Sequence, residues 1–541
     1  MQKKNTDAKN YGKQFFSSVV VLAISTFIVK VIGLFYKIPM MAYLGAEGMG
    51  YFNSAYDIYS LFFVISTTGI PVAISILIAE NKVQGKIDNI KKIFKVSLVV
   101  LGSLGLLGTL AMGIFYNDMA QIINNNGAAF CILAISPTLF MICLSSAIRG
   151  YFQGNQSMIP TAVSQVIEAL GKLFLGLGFA IIAINKGYDI SRVAAFAVCG
   201  LTLGVAISLL FLVLYKCLYR MKVENVDVSN SYESNAAILK KLLNIAIPIT
   251  LSSTILSLTK IIDMTMILRR LGDIGYTQNQ SNAIYGSYST MAVSIYNLPA
   301  TLISAIALPL VPLLVSAIES NDLKKEKSVL ASSLKMASLI AFPTGLGIAV
   351  FSKQILMLLF SSQEQEIEYT APLLSLLGLS VFLSAIITIS NAILQAYKQV
   401  KKPILSMIIG VFVKIIFAFV LLGIPKINIY GAPISTFISS VVIVAINLYF
   451  IVKRAGKIDK VFNLFALPFL AAFLSVGIGA VLYWFFTGIV NSRLLILPII
   501  VVVALLYSIL ILKLRAINET EILMLPKGDK ILIILKKIHL V

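Results

Sequence analysis

The sequence predicts an all-α polytopic membrane protein: 14 transmembrane helices, arranged as two six-helix lobes related by a parallel repeat, plus two extra C-terminal helices. Three observations predict it. Composition is the first: of 541 residues, 58% are hydrophobic and only 12% charged, where soluble domains carry about 45–50% and about 25%. Mean hydropathy is +0.93. The second is a series of apolar runs, each near or above the roughly 20 residues that a helix needs to cross a bilayer. The third is where the basic residues fall between those runs.

Each element follows in chain order. A polar N-terminus, 1–14, precedes the first run at 15–37. That run is too long, and lacks the small-residue cleavage site, for a removable signal peptide. Runs at 50–79, 93–116, 127–148, 159–184 and 193–215 complete an N-lobe over 15–221. The polar stretch KVENVDVSNSYESNAA (222–237) reads as the start of a cytoplasmic linker over 222–241. A C-lobe over 242–454 holds runs at 242–268, 283–318, 336–352, 371–397, 403–424 and 430–452. Segment 455–514 holds the last two runs, 462–486 and 494–512. The runs at 50–79 and 283–318 exceed a bilayer's needs and contain Pro71, Pro299, Pro309 and Pro312, so they are expected to bend or to project beyond it. The tail, 515–541, contains EILMLPKGDKILIILKKI (521–538), too charged to span and suited to lying on an anionic inner leaflet.

The chain carries 44 Lys+Arg against 23 Asp+Glu, a net charge of +21. Thirty-two of the 44 lie in the N-terminus, the loops after even-numbered runs (with Lys95 at the edge of the third run) and the tail, against 7 in the loops after odd-numbered runs. Cytoplasmic loops concentrate basic residues, so both termini are expected in the cytoplasm. Most of the surplus is therefore a topology signal and not a nucleic-acid footprint. The single histidine, His539, stands three residues from the end, and Cys131, Cys143, Cys199 and Cys217 have no metal-site spacing. No phosphate loop or nucleophile elbow is present. No metal, cofactor or enzymatic activity is expected.

The halves resemble each other at an offset of roughly 230–245 residues. AYDIYS (55–60) followed by GIPVAISILIA (69–79) matches IYGSYS (284–289) followed by NLPATLISAIA (297–307). SSAIRGYFQGNQSMIP (145–160) matches SNAILQAYKQVKKP (390–403). Lys172 and Lys414 follow these prolines at nearly equal distances, and Lys30 and Lys260 form a second repeat-related pair. Six helices per repeat keeps both halves in one orientation.

A charge at the bilayer centre costs about 2.5–3.5 kcal/mol on insertion scales and usually faces a wet cavity or a partner. Glu168 and Lys172, at i and i+4, can pair on one helix face, as can Lys260 and Asp263 at i and i+3. Lys30 and Lys414 have no partner on their own helix and are the better anion-binding candidates. Asp57 and Asp263 lie toward outer helix ends, where a solvated carboxylate is the simpler reading. A cavity with several lysines would attract phosphate or pyrophosphate.

The segments STFIVKVIGLFYKIPM (25–40), SSAIRGYFQGNQSMIPTAVSQVIEALGKL (145–173), IPITLSSTILSLTKIIDMTMILRRLG (247–272), AIYGSYSTMAVSIYNLPATLISAIALPLVP (283–312) and LPKGDK (525–530) resemble the multidrug/oligosaccharidyl-lipid/polysaccharide exporter superfamily, and within it the MurJ-like branch of stage V sporulation protein B and YtgP-type lipid II flippases. The resemblance implies two lobes around a cavity that opens alternately to either side, with a side groove at the last two helices for a lipid tail. It implies transport of an undecaprenyl-diphosphate-linked saccharide, lipid II or a related cell-wall, polysaccharide or spore-cortex precursor, across the cell membrane of a Gram-positive-type bacterium, with H+, Na+ or the membrane potential as possible coupling. Lys30 falls at the branch's basic position in the first helix. The second basic position there is occupied by Tyr36, with Lys37 adjacent, and Asp57 is the nearest match to the acidic residue of the second helix. The substrate-binding set expected from all of this is Lys30, Lys172, Lys260 and Lys414, with Glu168 and Asp57 as polar wall. A cation-coupled multidrug antiporter of the same superfamily is the alternative; it would favour a cavity dominated by carboxylates. A membrane-embedded glycosyl- or phosphotransferase would need an exposed acidic or His-containing loop to hold a metal or act as base, and SSQEQEIEYT (361–370) carries Glu364, Glu366 and Glu368 but no histidine.

Overall fold

The computed structural model describes residues 2–219, 234–320, 322–456, 461–489 and 492–514. Most of the expected linker, the whole tail and His539 lie outside them. The first helices are α1 (Gln2–Thr67), α2 (Gly69–Val83), α3 (Ile87–Ile114), α4 (Tyr116–Ile122), α5 (Ala129–Gly154), α6 (Ile159–Asn185) and α7 (Ile190–Leu218). There follow α8 (Asn235–Asp273), α9 (Gln278–Ser287), α10 (Val293–Glu319), α11 (Leu323–Val350), α12 (Ser352–Leu359) and α13 (Glu364–Ala396). The last are α14 (Lys401–Leu422), α15 (Gly431–Ala455), α16 (Val461–Thr487) and α17 (Ile496–Lys513).

α1 is two helices joined at Gly45, whose φ of 64° is left-handed and suits a residue without Cβ. The bend expected near Pro71 occurs as the break at Thr68 between α1 and α2. The long run at 283–318 departs from α geometry over Tyr288–Ala292, in one turn of wider π-helix, while its three prolines lie inside the continuous α10.

Among the described residues, 12 helical stretches are long and apolar enough to cross a membrane, against the 14 expected. One of the 12, Ser25–Lys82, is 58 residues long and contains most of the first expected run and all of the second. At about 1.5 Å per residue it has backbone for two passes of a hydrocarbon core about 30 Å thick. α10, which carries most of the eighth expected run, is not among the 12.

The chain forms two compact units, Met1–Thr290 and Met291–Val541. In the first, α6 lies along α7, α5 packs on α3 and α7, and α1 runs against α6, α8 and α9. Its apolar core near α2 joins Ile74, Ile78, Ile90 and Phe152 to Ile238, Leu242 and Ala246 of α8. In the second, α13 packs on α10, α11 and α15, α14 lies along α15, and α11 carries α16, which in turn carries α17.

Backbone geometry repeats between the halves. α3 and α11 are both 28 residues long, and each ends at a phenylalanine, Phe115 and Phe351, that opens a short helix of 7 or 8 residues. α5 and α13 are both followed by a turn whose non-glycine residue is left-handed: Gln156 at φ 64° and Lys398 at φ 60°. In each turn that residue's N–H donates to a carbonyl three residues back, Gln153 or Gln395, at 2.9 Å. Counting 242 residues onward from Ser164 and Lys172 gives Ser406 and Lys414.

Candidate functional site

The site is built in the first unit by α1, α6 and α8. α6 is fixed against α7 by glycines. A Cβ added at Gly171 would lie 2.5 Å from Gly204 Cα, and one at Gly200 would lie 2.3 Å from Gly176 N. Small residues of this kind let membrane helices touch backbone to backbone. With α7 occupying that side, Lys172 reaches toward α1. Its Nζ stands 4.5 Å from the ring centre of Tyr56, 5.1 Å from Tyr36 and 5.5 Å from Phe52. Aromatic faces attract cations at such distances. The rings belong to a ladder along the second part of α1, in which Phe52, Tyr56, Tyr59 and Phe63 succeed one another at centroid separations of 6.3, 5.8 and 5.7 Å. Their spacing of four, three and four residues is that of one helix face.

Three of the four expected lysines gather here, and Lys37 joins them. Lys30 lies within Coulombic reach of Lys260. Lys37 lies within reach of Lys30, Lys260 and Asp57, and Lys172 within reach of Lys37. Lys30 and Lys260 keep exposed side chains, while Lys37, Lys172 and Asp57 are half-buried. Lys414 is buried in α14, in the second unit.

Two expectations about the carboxylates are corrected. Glu168 forms its ion pair with Arg149 of α5, Nη2 to Oε2 at 3.0 Å, and not with Lys172 one turn along its own helix. Arg149 is also tied down by Ser164, whose Oγ accepts from Nε at 3.0 Å, and by Ser208 at 3.3 Å. Asp57 is not a solvated helix-end carboxylate: it accepts a hydrogen bond from the buried Tyr285 hydroxyl of α9. Lys260, Lys37 and Asp263 also act on its charge.

That Tyr285 bond belongs to a polar seam between α1 and α9. Asn282 donates to the Glu47 carbonyl at 2.7 Å, and Asn53 donates to Thr290 Oγ1 at 2.7 Å. Asn125 donates to both Ser54 Oγ, at 2.9 Å, and Asn282 Oδ1, at 2.8 Å. The helices meet closely enough that a Cβ added at Gly286 would lie 2.0 Å from the Ala46 carbonyl oxygen. The repeat segments AYDIYS and IYGSYS put Tyr56 in register with Tyr285, and the same register pairs Asn53 with Asn282.

Sequence reasoning missed Arg149, Lys37 and the asparagines. Arg149 follows directly on an apolar run, so it counts as a loop residue until α5 is seen to continue to Gly154. Lys37 stands beside the tyrosine at the second basic position of the resembling branch, which was the signal available for it.

Helical stretches long and apolar enough to cross a bilayer, with lysines set inside them, define a multi-pass membrane protein. Its fold is that of a solved lipid II flippase MurJ in an inward closed conformation: TM-score 0.69 at 17% identity, covering 91% of this chain and 98% of that one. The polysaccharide biosynthesis protein family profile matches residues 15–319, more than half of the sequence, and a MatE profile matches residues 248–420. The chain belongs to the polysaccharide biosynthesis protein family. Stage V sporulation protein B of Bacillus subtilis (strain 168) is 25% identical over 526 residues, 96% of this chain and 99% of its own length. The lipid II flippase MurJ of the same strain is 24% identical over 461 residues, 82% of this chain and 83% of its own length.

Proposed function

We propose that this protein is a flippase, not an enzyme, that moves a polyprenyl-diphosphate-linked saccharide from the inner to the outer leaflet of a Gram-positive-type cell membrane by alternating access. The observation that carries the reading is the set of lysines Lys30, Lys37, Lys172 and Lys260 within helices apolar enough to span a membrane, with the Lys172 ammonium of α6 held 4.5–5.5 Å from the Tyr56, Tyr36 and Phe52 rings of α1. Like charges held near one another repel, and an anion between them removes that cost. A diphosphate, with several charged oxygens close together, is the headgroup that such a set satisfies best, and lysines bind it as point charges. Lys414 is proposed as the equivalent cation of the second half. The lipid II flippase among the relatives supports a lipid-linked cargo. The proposed orientation, with both termini cytoplasmic, rests on the 32-to-7 bias of basic residues. Coupling to H+, Na+ or the membrane potential belongs to the proposal as its energy source.

Complementation of a flippase-depleted strain tests the reading. Lys30→Ala and Lys172→Ala, expressed at native levels, should fail to rescue growth, and lipid-linked precursor should accumulate on the inner leaflet. Full rescue by both variants would refute the anion site. The MatE match over 248–420 favours a second reading, a cation-coupled drug antiporter. Such a protein would extrude a cationic dye from vesicles and leave lipid-linked precursors unchanged.

A further inference from the structure

The lysine at the centre of the site stands one turn from a carboxylate that could cancel it. Glu168 and Lys172 have the i, i+4 spacing and the Glu-first order that favour a helix ion pair. An intrahelical pair there would leave Lys172 electrically neutral toward an anion. In the structure the carboxylate is paired with Arg149 at 3.0 Å and forms no ion pair with Lys172, although its charge still acts on that ammonium. The Arg149 side chain is 9% exposed and that of Glu168 26%. The guanidinium cannot drift off, because Ser164 accepts from its Nε at 3.0 Å and Ser208 accepts from its Nη2 at 3.3 Å. Ser208 is itself anchored by donating to the Ser164 carbonyl at 2.8 Å. Arginine suits this task because its planar fork can meet a carboxylate and a hydroxyl together and stays charged.

The second half of the chain supplies an internal comparison. Counting 242 residues onward, Lys172 becomes Lys414 and Ser164 becomes Ser406. Both serines donate to the carbonyl three residues back, Thr161 at 2.8 Å and Pro403 at 2.9 Å, so the local geometry is the same. Glu168 becomes Gly410, and Arg149 becomes Asn391. The carboxylate and the arginine disappear together while the lysine and the serine stay. The groups that meet in the second half are neutral ones: the Ser406 hydroxyl is shared between the Pro403 carbonyl and Asn447 Oδ1, the latter at 2.6 Å, and Asn447 donates to Asn391 Oδ1 at 2.9 Å. If Arg149 served only to brace three helices, the neutral node shows that a brace needs no charge. What the first half has in addition is a glutamate one turn before its lysine.

We propose that Arg149 is a positioning residue: by holding the Glu168 carboxylate it keeps Lys172 from being neutralised on its own helix and leaves that ammonium for the anionic headgroup. The inference rests on the anion-site reading above. Arg149 itself touches no cargo in this scheme.

The test is a charge cycle in nanodiscs with undecaprenyl diphosphate as the probe. Native protein, Arg149→Gln, Glu168→Gln, the double variant and Lys172→Gln are compared, each monodisperse on size exclusion. Arg149→Gln should bind about tenfold more weakly, equivalent to about 1.4 kcal/mol. The double variant should bind within about twofold of Glu168→Gln, because with no carboxylate to restrain Arg149 has no further effect. Arg149→Lys, which keeps a cation beside Glu168, should bind within about twofold of native, and Arg149→Met, equally uncharged, replaces Arg149→Gln as the single variant if that one does not fold. Native affinity in Arg149→Gln overturns the proposal. So does a double variant as weak as Arg149→Gln, or an equal loss in Arg149→Lys, since both would mark a structural brace. Native binding by Lys172→Gln would instead sink the anion-site reading, and the inference with it.

Discussion

Lys37 shows how much a single residue's setting matters. In the sequence it sits at the end of an apolar run, next to the tyrosine that occupies the second basic position of the resembling branch. In the structure it is half-buried and within Coulombic reach of Lys30, Lys260 and Asp57. Each cation near a diphosphate adds a favourable Coulomb interaction that is strengthened where water is scarce, so removing one from such a group weakens the hold on a diphosphate measurably. Lys37→Gln should therefore bind undecaprenyl diphosphate about tenfold more weakly, or about 1.4 kcal/mol, in the nanodisc titration. A loss comparable to that of Lys30→Gln places it in the site, and native affinity removes it. Glu168 teaches the complementary lesson. Its spacing from Lys172 was legible, but its partner was not, because Arg149 comes from another helix and enters by tertiary packing. A local pattern states which pairs can form; competition among helices decides which do.

At the scale of elements, the contact between α1 and α9 depends on having almost nothing at Gly286. A methyl group there would stand 2.0 Å from the Ala46 carbonyl oxygen and 2.6 Å from Gly50 N, and two backbones cannot yield as a side chain can. Gly286→Ala should push the helices apart and break the Asn282 bond to the Glu47 carbonyl. Overpacking of this kind costs about 1–3 kcal/mol, and each interhelical hydrogen bond lost in a membrane adds about 0.6 kcal/mol. A methyl group at Gly178 on α6 would meet nothing within 4 Å, so Gly178→Ala serves as the control. Thermal unfolding in detergent should show a drop of several degrees for Gly286→Ala and none for Gly178→Ala; equal midpoints would refute the packing argument. The helices themselves were legible as apolar runs, since length and hydropathy act locally. The seam was not, because Asn53, Asn125 and Asn282 are single polar residues whose meaning comes only from the partner across the interface.

For the whole molecule, the repeat and the charge asymmetry were the legible features, and both are global regularities that survive uncertainty about any one boundary. The 14 expected crossings were read from apolar runs alone, while helix continuity joins the first two into Ser25–Lys82 and a π turn interrupts the eighth. Orientation remains the property that the basic residues argue most directly. Anionic lipid in the inner leaflet and the membrane potential both hold Lys and Arg on the cytoplasmic side, and a bias of 32 to 7 is too large for one misplaced loop to reverse. The proposed topology therefore puts the turn after α6 outside and the turn after α2 inside, with the turn before α13 outside and the turn before α14 inside. In a background whose four native cysteines are replaced, Lys186→Cys and Gln365→Cys should react with a membrane-impermeant maleimide added to intact cells. Gln84→Cys and Lys401→Cys should react only after permeabilisation. All four of these positions are exposed, so a failure to label reports the membrane and not burial. Labelling of the second pair in intact cells, with protection of the first, would invert the molecule and with it the direction of transport proposed here.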